Sequence, residues 1–519
     1  MQGSSATPSR PAAPARSLVA LALVLGCNSR VGDQTGAPPA PPTPAPELAP
    51  FDRLVSRVER DHDFAASYER NVGHPWRDDV PGLRDELVRA TTRDQRLVAF
   101  AHLQNSLRDG HCYVDPPPGT AEQRLELGIE LWPGGTFAAP ELRVVAVAPD
   151  VGGDIAVGDS VVAVDGTPLA GWVAANRFEA RSLAPADALA DILATVADVT
   201  VPWTPRREGD RRVLTLARGG ARHDITLQFG THASTHPHPN IDHAPPLAEI
   251  SCDPIDYGAY AVSEVGINLC VYRPTSRTRP RIAIVRYLSF LYTGGDRDSS
   301  LRSLKIDHDL LAKALADADG VILDLHENRG GNAPFKFLSW FSSGPIDFPR
   351  VVTKVSPELD ANTLQHLLGS HGADTYLAAQ RKHEPSYVTH FYCAEEPCTN
   401  VSLPSDERVT RAPVAVITGS ECASSCDTFS SEWAVFHLGP IVGMQPRHAY
   451  TTTRLPIEVD QLGTFRIALS HNELQAGVSM EGEPIHLDWE APHTFDTRDS
   501  WLRTAVDEAS KRLNHRAGP

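Results

Sequence analysis

The sequence is short of positive charge. Its 519 residues carry 48 Lys and Arg against 65 Asp and Glu, a net charge of −17. That balance argues against a nucleic-acid partner and leaves no basic patch for an anionic membrane surface. Long hydrophobic runs are lacking too. The apolar run Leu18–Leu25 holds eight residues, where a membrane-spanning helix needs about 20. The eight cysteines include no Cys-x-x-Cys pair, so zinc is not expected, and no metal or other cofactor is called for. What remains is a 41% apolar share, enough for ordinary cores, and a length that suits about three domains.

At the N-terminus, Arg10 and Arg16 precede the apolar run and Gly26-Cys27 follows it. Residues 1–27 thus have the shape of a secretory signal. The segment Val24-Leu25-Gly26-Cys27 resembles the bacterial lipobox, which implies cleavage before Cys27 and its lipidation. A plain signal peptide with a chance cysteine is the other reading. Residues 28–50, with the Pro/Ala-rich stretch Gly36–Pro50, form an extended tether. The protein is then expected on the periplasmic or outer cell-envelope surface, held to the membrane through lipid alone. An exported chain can keep disulfides. Cys252–Cys270 and Cys393–Cys398 are the close local pairs, and Cys422–Cys426 is also reachable. Seven cysteines besides Cys27 leave at least one unpaired within the chain.

Two stretches share one design. Val414–Thr418 is an apolar strand that ends at Gly419; small polar residues follow, and helical spacing begins at Asp427. Ser424 and Ser425 therefore stand where a strand turns into a helix, a place that exposes a hydroxyl and aims backbone N–H groups at its target. A helix-capping serine would fit the same place. Upstream, Val321–Leu325 is a second apolar strand, followed by Gly330-Gly331 and an amphipathic helix from Ala333. Paired glycines let backbone N–H groups come close to a ligand. Asp324-Leu325-His326-Glu327-Asn328-Arg329-Gly330-Gly331 resembles the D-L-R-x-N-x-G-G segment of the S41 peptidases, with His326 in place of the arginine. Ser424-Ser425-Cys426-Asp427 resembles that family's nucleophile motif.

The resemblance implies a crotonase/ClpP-like α/β catalytic domain with Ser424 as nucleophile, and an oxyanion hole from Ser425 and one of Gly330 or Gly331. Ser425 would act through its backbone. No lysine lies between Ser424 and Lys511, which excludes the Ser–Lys dyad of the tail-specific branch, since arginine does not give up its proton. In the tricorn-like branch, the serine works with an upstream histidine and a late glutamate. Arg108-Asp109-Gly110-His111-Cys112-Tyr113-Val114 resembles that branch's base motif and makes His111 the base. Met480–Asp488 resembles its E-G-x-G-V-x-P-D and places Glu481 on the glutamate, with departures at Pro484 and Leu487.

The expected architecture is multidomain α/β. Residues 51–118 form a helical segment, from three-and-four spacing of Leu54, Val55, Val58, Leu83, Leu87, Leu97, Phe100 and Leu103. Residues 119–235 are β-rich, and Val157–Leu169 resembles the G-D-x-I-x-x-V-(D/N)-G region of a PDZ domain, which takes a peptide as an added strand. A generic small β-domain fits the same strands. Residues 236–519 make the catalytic domain, with strand–helix–strand alternation implying a parallel sheet and 344–406 as an insertion over the site. The function expected is an exported serine endopeptidase acting on peptides or unfolded segments. The alternative is a catalytically inactive binding protein of the same fold, for peptides or small apolar ligands; an acyl-CoA enzyme is disfavoured by export.

Overall fold

The computed structural model describes residues 48–516 except 65–66, 233–251, 253–254, 256, 277–279, 293–296, 332–333, 343–345, 348, 391–401, 404–406, 451, 460, 476–477 and 492–497. The signal peptide, Cys27, the tether, the Cys393–Cys398 pair and most of the His/Pro-rich linker lie outside the described residues.

Three apolar runs decide the central layer. Ile282–Tyr287, Gly320–Asp324 and Val414–Thr418 are buried at every position, as strands covered on both faces must be. They lie side by side in a seven-stranded sheet ordered Tyr260–Val265, Leu269–Pro274, Ile282–Tyr287, Gly320–Asp324, Val414–Thr418, Ile441–Gly443 and Trp489–Glu490. From Ile282 onward the pairing is parallel; the two preceding strands are antiparallel. One face packs against Phe337, Trp340, Phe429 and Trp433. The other is covered by Trp501, Leu502, Ala505 and Leu513 of the Arg498–Arg516 helix. Parallel pairing has a direct consequence for the site. Asp324 sits opposite Ile417, so the turns that leave these two strands emerge together at one sheet edge.

Residues 119–235 hold an antiparallel sheet of Ile129–Gly135, Pro140–Val147, Ser160–Val164, Arg211–Arg218 and Ala221–Gln228, in that order. Ile129–Gly135 is its edge strand on the side of the Pro185–Ala194 helix, and its core centres on Leu142, Val164, Ile192 and Leu214.

A third sheet has no counterpart in the sequence reading. Tyr113–Asp115 pairs with Gly463–Gln475, which also pairs with Arg350–Lys354 and Thr452–Val459; Arg350–Lys354 in turn pairs with Ser386–His390. The stretch expected as an insertion, 344–406, thus supplies two strands to a sheet shared with the N-terminal segment. Helices Ala49–Asp61, Val80–Arg89 and Arg93–Asn105 pack on this sheet through Phe51, Leu54, Leu83, Phe100 and Phe465. The last of these helices opens with a capping box, Thr92 accepting from the Gln95 N–H while the Gln95 side chain returns to the Thr92 N–H.

Candidate active site

The turn at Ser424 is a tight corner. Ser424 is the N-cap of the Ser425–Val435 helix at φ 58°, ψ −118°, and its side chain makes no capping hydrogen bond. A non-glycine residue in that region carries backbone strain. Capping is therefore not what this serine does: its Oγ lies 2.9 Å from His111 Nε2. Both residues are half-buried. The Cys422–Cys426 disulfide brackets the corner. The other predicted bridge among the described residues, Cys252–Cys270, is also formed, and Cys112 is unpaired and buried.

The double glycine lies against this corner because nothing larger fits. A Cβ at Gly330, which has φ +96°, would stand 2.7 Å from the Ala423 carbonyl oxygen, 2.8 Å from the Ser425 nitrogen and 2.9 Å from the Ser424 Cβ. The Ala423 N–H donates to the Asn328 carbonyl (3.2 Å), and the Gly330 N–H to Asn328 Oδ1 (2.8 Å). Gly330 has therefore committed its donor, and of the two glycines only Gly331 keeps an N–H that the turn does not use among the described residues. Ser425 offers the other N–H, as the first residue of a helix. Its hydroxyl is also engaged, donating to the Gly331 carbonyl at 2.6 Å. The expectation of a purely backbone role for Ser425 is corrected on this point, since the side chain ties the nucleophile helix to the glycine that faces it.

His111 is held from its own loop. Its N–H donates to Asp109 Oδ1 (2.9 Å), and the strand Tyr113–Asp115 begins two residues later. Gly110 is packed against Ala449, whose Cβ lies 3.1 Å from where a side chain at 110 would begin. Glu481 is 3% exposed, and its Oε2 accepts the Tyr450 N–H at 2.6 Å. Burial, then Asp109 and Glu481, push the Cys112 thiol well above its ordinary range. His326, where the family pattern has arginine, turns back onto Asp324, with Nδ1 2.6 Å from Oδ1.

The segment Arg447–Tyr450, given no role by the sequence, connects these parts. Asp427, on the first turn of the nucleophile helix, accepts the N–H groups of His448 (2.8 Å) and Ala449 (3.2 Å). Burial pushes the Asp427 carboxyl up to about 7, against the lowering effect of His448. His448 Nδ1 lies 3.0 Å from Asp187, and Arg447 pairs with Asp191 at 2.8 Å, both acids on the Pro185–Ala194 helix. The signal available in the sequence was the cluster Arg447-His448 beside two helical acids, but only the fold brings them together.

A strained serine at a strand–helix corner, a histidine on its hydroxyl and two backbone donors beside it form an arrangement that can support acyl transfer. Residues 281–491 match the sequence model of peptidase family S41. Over that stretch the chain is similar to the S41 peptidases. As a fold, the chain is similar to mature CPAF, with a TM-score of 0.68 at 14% identity over 91% of this chain and 98% of the other. It is likewise similar to mature CPAF complexed with lactacystin, with a TM-score of 0.65 at 13% identity over 91% and 98%. No curated protein sequence matches the chain.

Proposed function

We propose that this S41 peptidase is an exported, lipid-anchored serine endopeptidase in which Ser424 is the nucleophile, His111 the base and Glu481 the group that steadies the base. The observation that carries the reading is the 2.9 Å contact between His111 Nε2 and the hydroxyl of a serine that caps nothing. In this mechanism Ser424 Oγ attacks the scissile carbonyl as its proton passes to His111, which then gives that proton to the departing amine. Water, activated by the same histidine, releases the acyl group. The oxyanion rests on the N–H groups of Ser425 and Gly331 and on the positive end of the nucleophile helix. Glu481 stabilises the imidazolium, as carboxylates do in other triads.

The Ile129–Gly135 edge strand, with the Pro185–Ala194 helix alongside, is suited to accept a peptide as an added strand in the manner of a PDZ domain. Two disulfides accord with an oxidising compartment, and Cys27 would carry the lipid. A fluorophosphonate probe should label the wild type at Ser424 and leave Ser424→Ala unlabelled. Absence of labelling and of peptide turnover in folded wild-type protein would move the chain to the binding class instead.

A further inference from the structure

Flanking His111 in the chain, Asp109 and Cys112 converge with His62 in the core, three side chains of different chemistry. His62 is 2% exposed, Asp109 5% and Cys112 6%, and one ligand atom from each lies within 4.8 Å of the other two. His62 Nε2 is 3.6 Å from Cys112 Sγ and 3.4 Å from Asp109 Oδ2. The second distance is long for a charge-assisted hydrogen bond, which closes to about 2.7–2.9 Å. Both distances match the edges of a tetrahedron around zinc, which come to about 3.3–3.6 Å from ordinary Zn–N, Zn–O and Zn–S bond lengths. The buried His62 ring has no hydrogen-bond partner for Nδ1 among the described residues, so its burial is compensated only through Nε2.

We propose that His62, Asp109 and Cys112 form a buried site for a thiolate-preferring divalent cation, zinc foremost. One carboxylate, one thiolate and one neutral imidazole balance the charge of a dication inside the core, and the thiolate selects zinc over magnesium or calcium. The surroundings already serve such a site. The Ala468 N–H donates to Cys112 Sγ at 3.2 Å, as an outer shell does for a bound thiolate, and Asp109 Oδ1 is fixed by the His111 N–H. His62 caps the C-terminus of the Ala49–Asp61 helix, its N–H on the Val58 carbonyl, while Lys354 Nζ donates to the His62 carbonyl. The ligands come from positions 62, 109 and 112, which is why no zinc-type cysteine spacing announces them. With all three ligands buried, no substrate reaches the ion. It staples the first helix to the loop that carries His111.

The test uses full-length protein stripped with a chelator and titrated with Co(II), then Zn(II). The expected result is one equivalent bound, with a near-ultraviolet thiolate-to-cobalt band and the strong visible bands of tetrahedral cobalt, displaced by zinc. The band should be lost in Cys112→Ser and in His62→Ala, and zinc should raise the melting temperature of the wild type alone. If either variant fails to fold by circular dichroism, alkylation mapping of the wild type decides. Protection of Cys112 by zinc supports the site; protection of another cysteine overturns it. Folded wild type that labels with fluorophosphonate yet takes up neither metal overturns the proposal and leaves the peptidase reading intact.

Discussion

Ser424 and Ser425 are neighbours with separate duties, and substitution should separate them. Ser424→Ala is expected to abolish turnover while peptide binding persists. Ser425→Ala keeps its backbone N–H but releases the Gly331 carbonyl, so kcat should fall by roughly fivefold, the scale of one hydrogen bond of about 1 kcal/mol, with KM little changed. Steady-state kinetics on a fluorogenic peptide would read both. Asp427 offers a pH signature. Its folded carboxyl titrates at about 7 against an ordinary 3.8, so the folded protein holds an extra proton between those values. Stability from this group is therefore present at low pH and falls as pH rises from about 4 to about 7, by a few kcal/mol. Urea midpoints measured across that range should show the fall in wild type and a flatter profile in Asp427→Asn. An unchanged slope in the variant would assign the pH dependence to other groups.

At the scale of elements, the corner between Val414–Thr418 and Ser425–Val435 is held by the Cys422–Cys426 bridge. The double variant Cys422→Ala/Cys426→Ala frees a short loop, which costs about 2 kcal/mol in the chain-entropy account and relaxes Ser424. A lower melting temperature with a larger drop in kcat than in KM is expected by calorimetry and kinetics on the same preparation. The strands of the central sheet were legible in the sequence because they are continuous apolar runs closed by glycine. Val414–Thr418 begins and ends where the pattern places it, and Gly320–Asp324 is offset by one residue. The motifs that resemble S41 singled out Ser424, His111 and the glycines, which the fold brings together, but spacing alone could not say which glycine had already used its N–H. The sheet joining Tyr113–Asp115, Gly463–Gln475 and Arg350–Lys354 was hidden for a physical reason. Its pairings link residues up to about 350 positions apart, and no local pattern records such a partner.

Across the whole molecule, the Pro185–Ala194 helix is bound to the catalytic unit through two buried acids, and Asp191 is almost completely enclosed. Arg447→Ala would strand that carboxylate, and breaking a buried pair in this way costs about 3–5 kcal/mol; Arg447→Ala with Asp191→Asn should recover part of the loss in a double-mutant cycle of unfolding free energies. In cells, Cys27→Ser should release the protein from membrane fractions or leave an uncleaved precursor, and unchanged fractionation would reject the lipid anchor. The contact between His111 and Ser424 spans 313 residues of sequence, and it has a consequence for the life of the protein. A chain still emerging from the ribosome has no histidine beside its serine. If the proposed pair does the chemistry, proteolytic power switches on only when the last quarter of the polypeptide has folded back onto the first, which spares the nascent chain itself from attack.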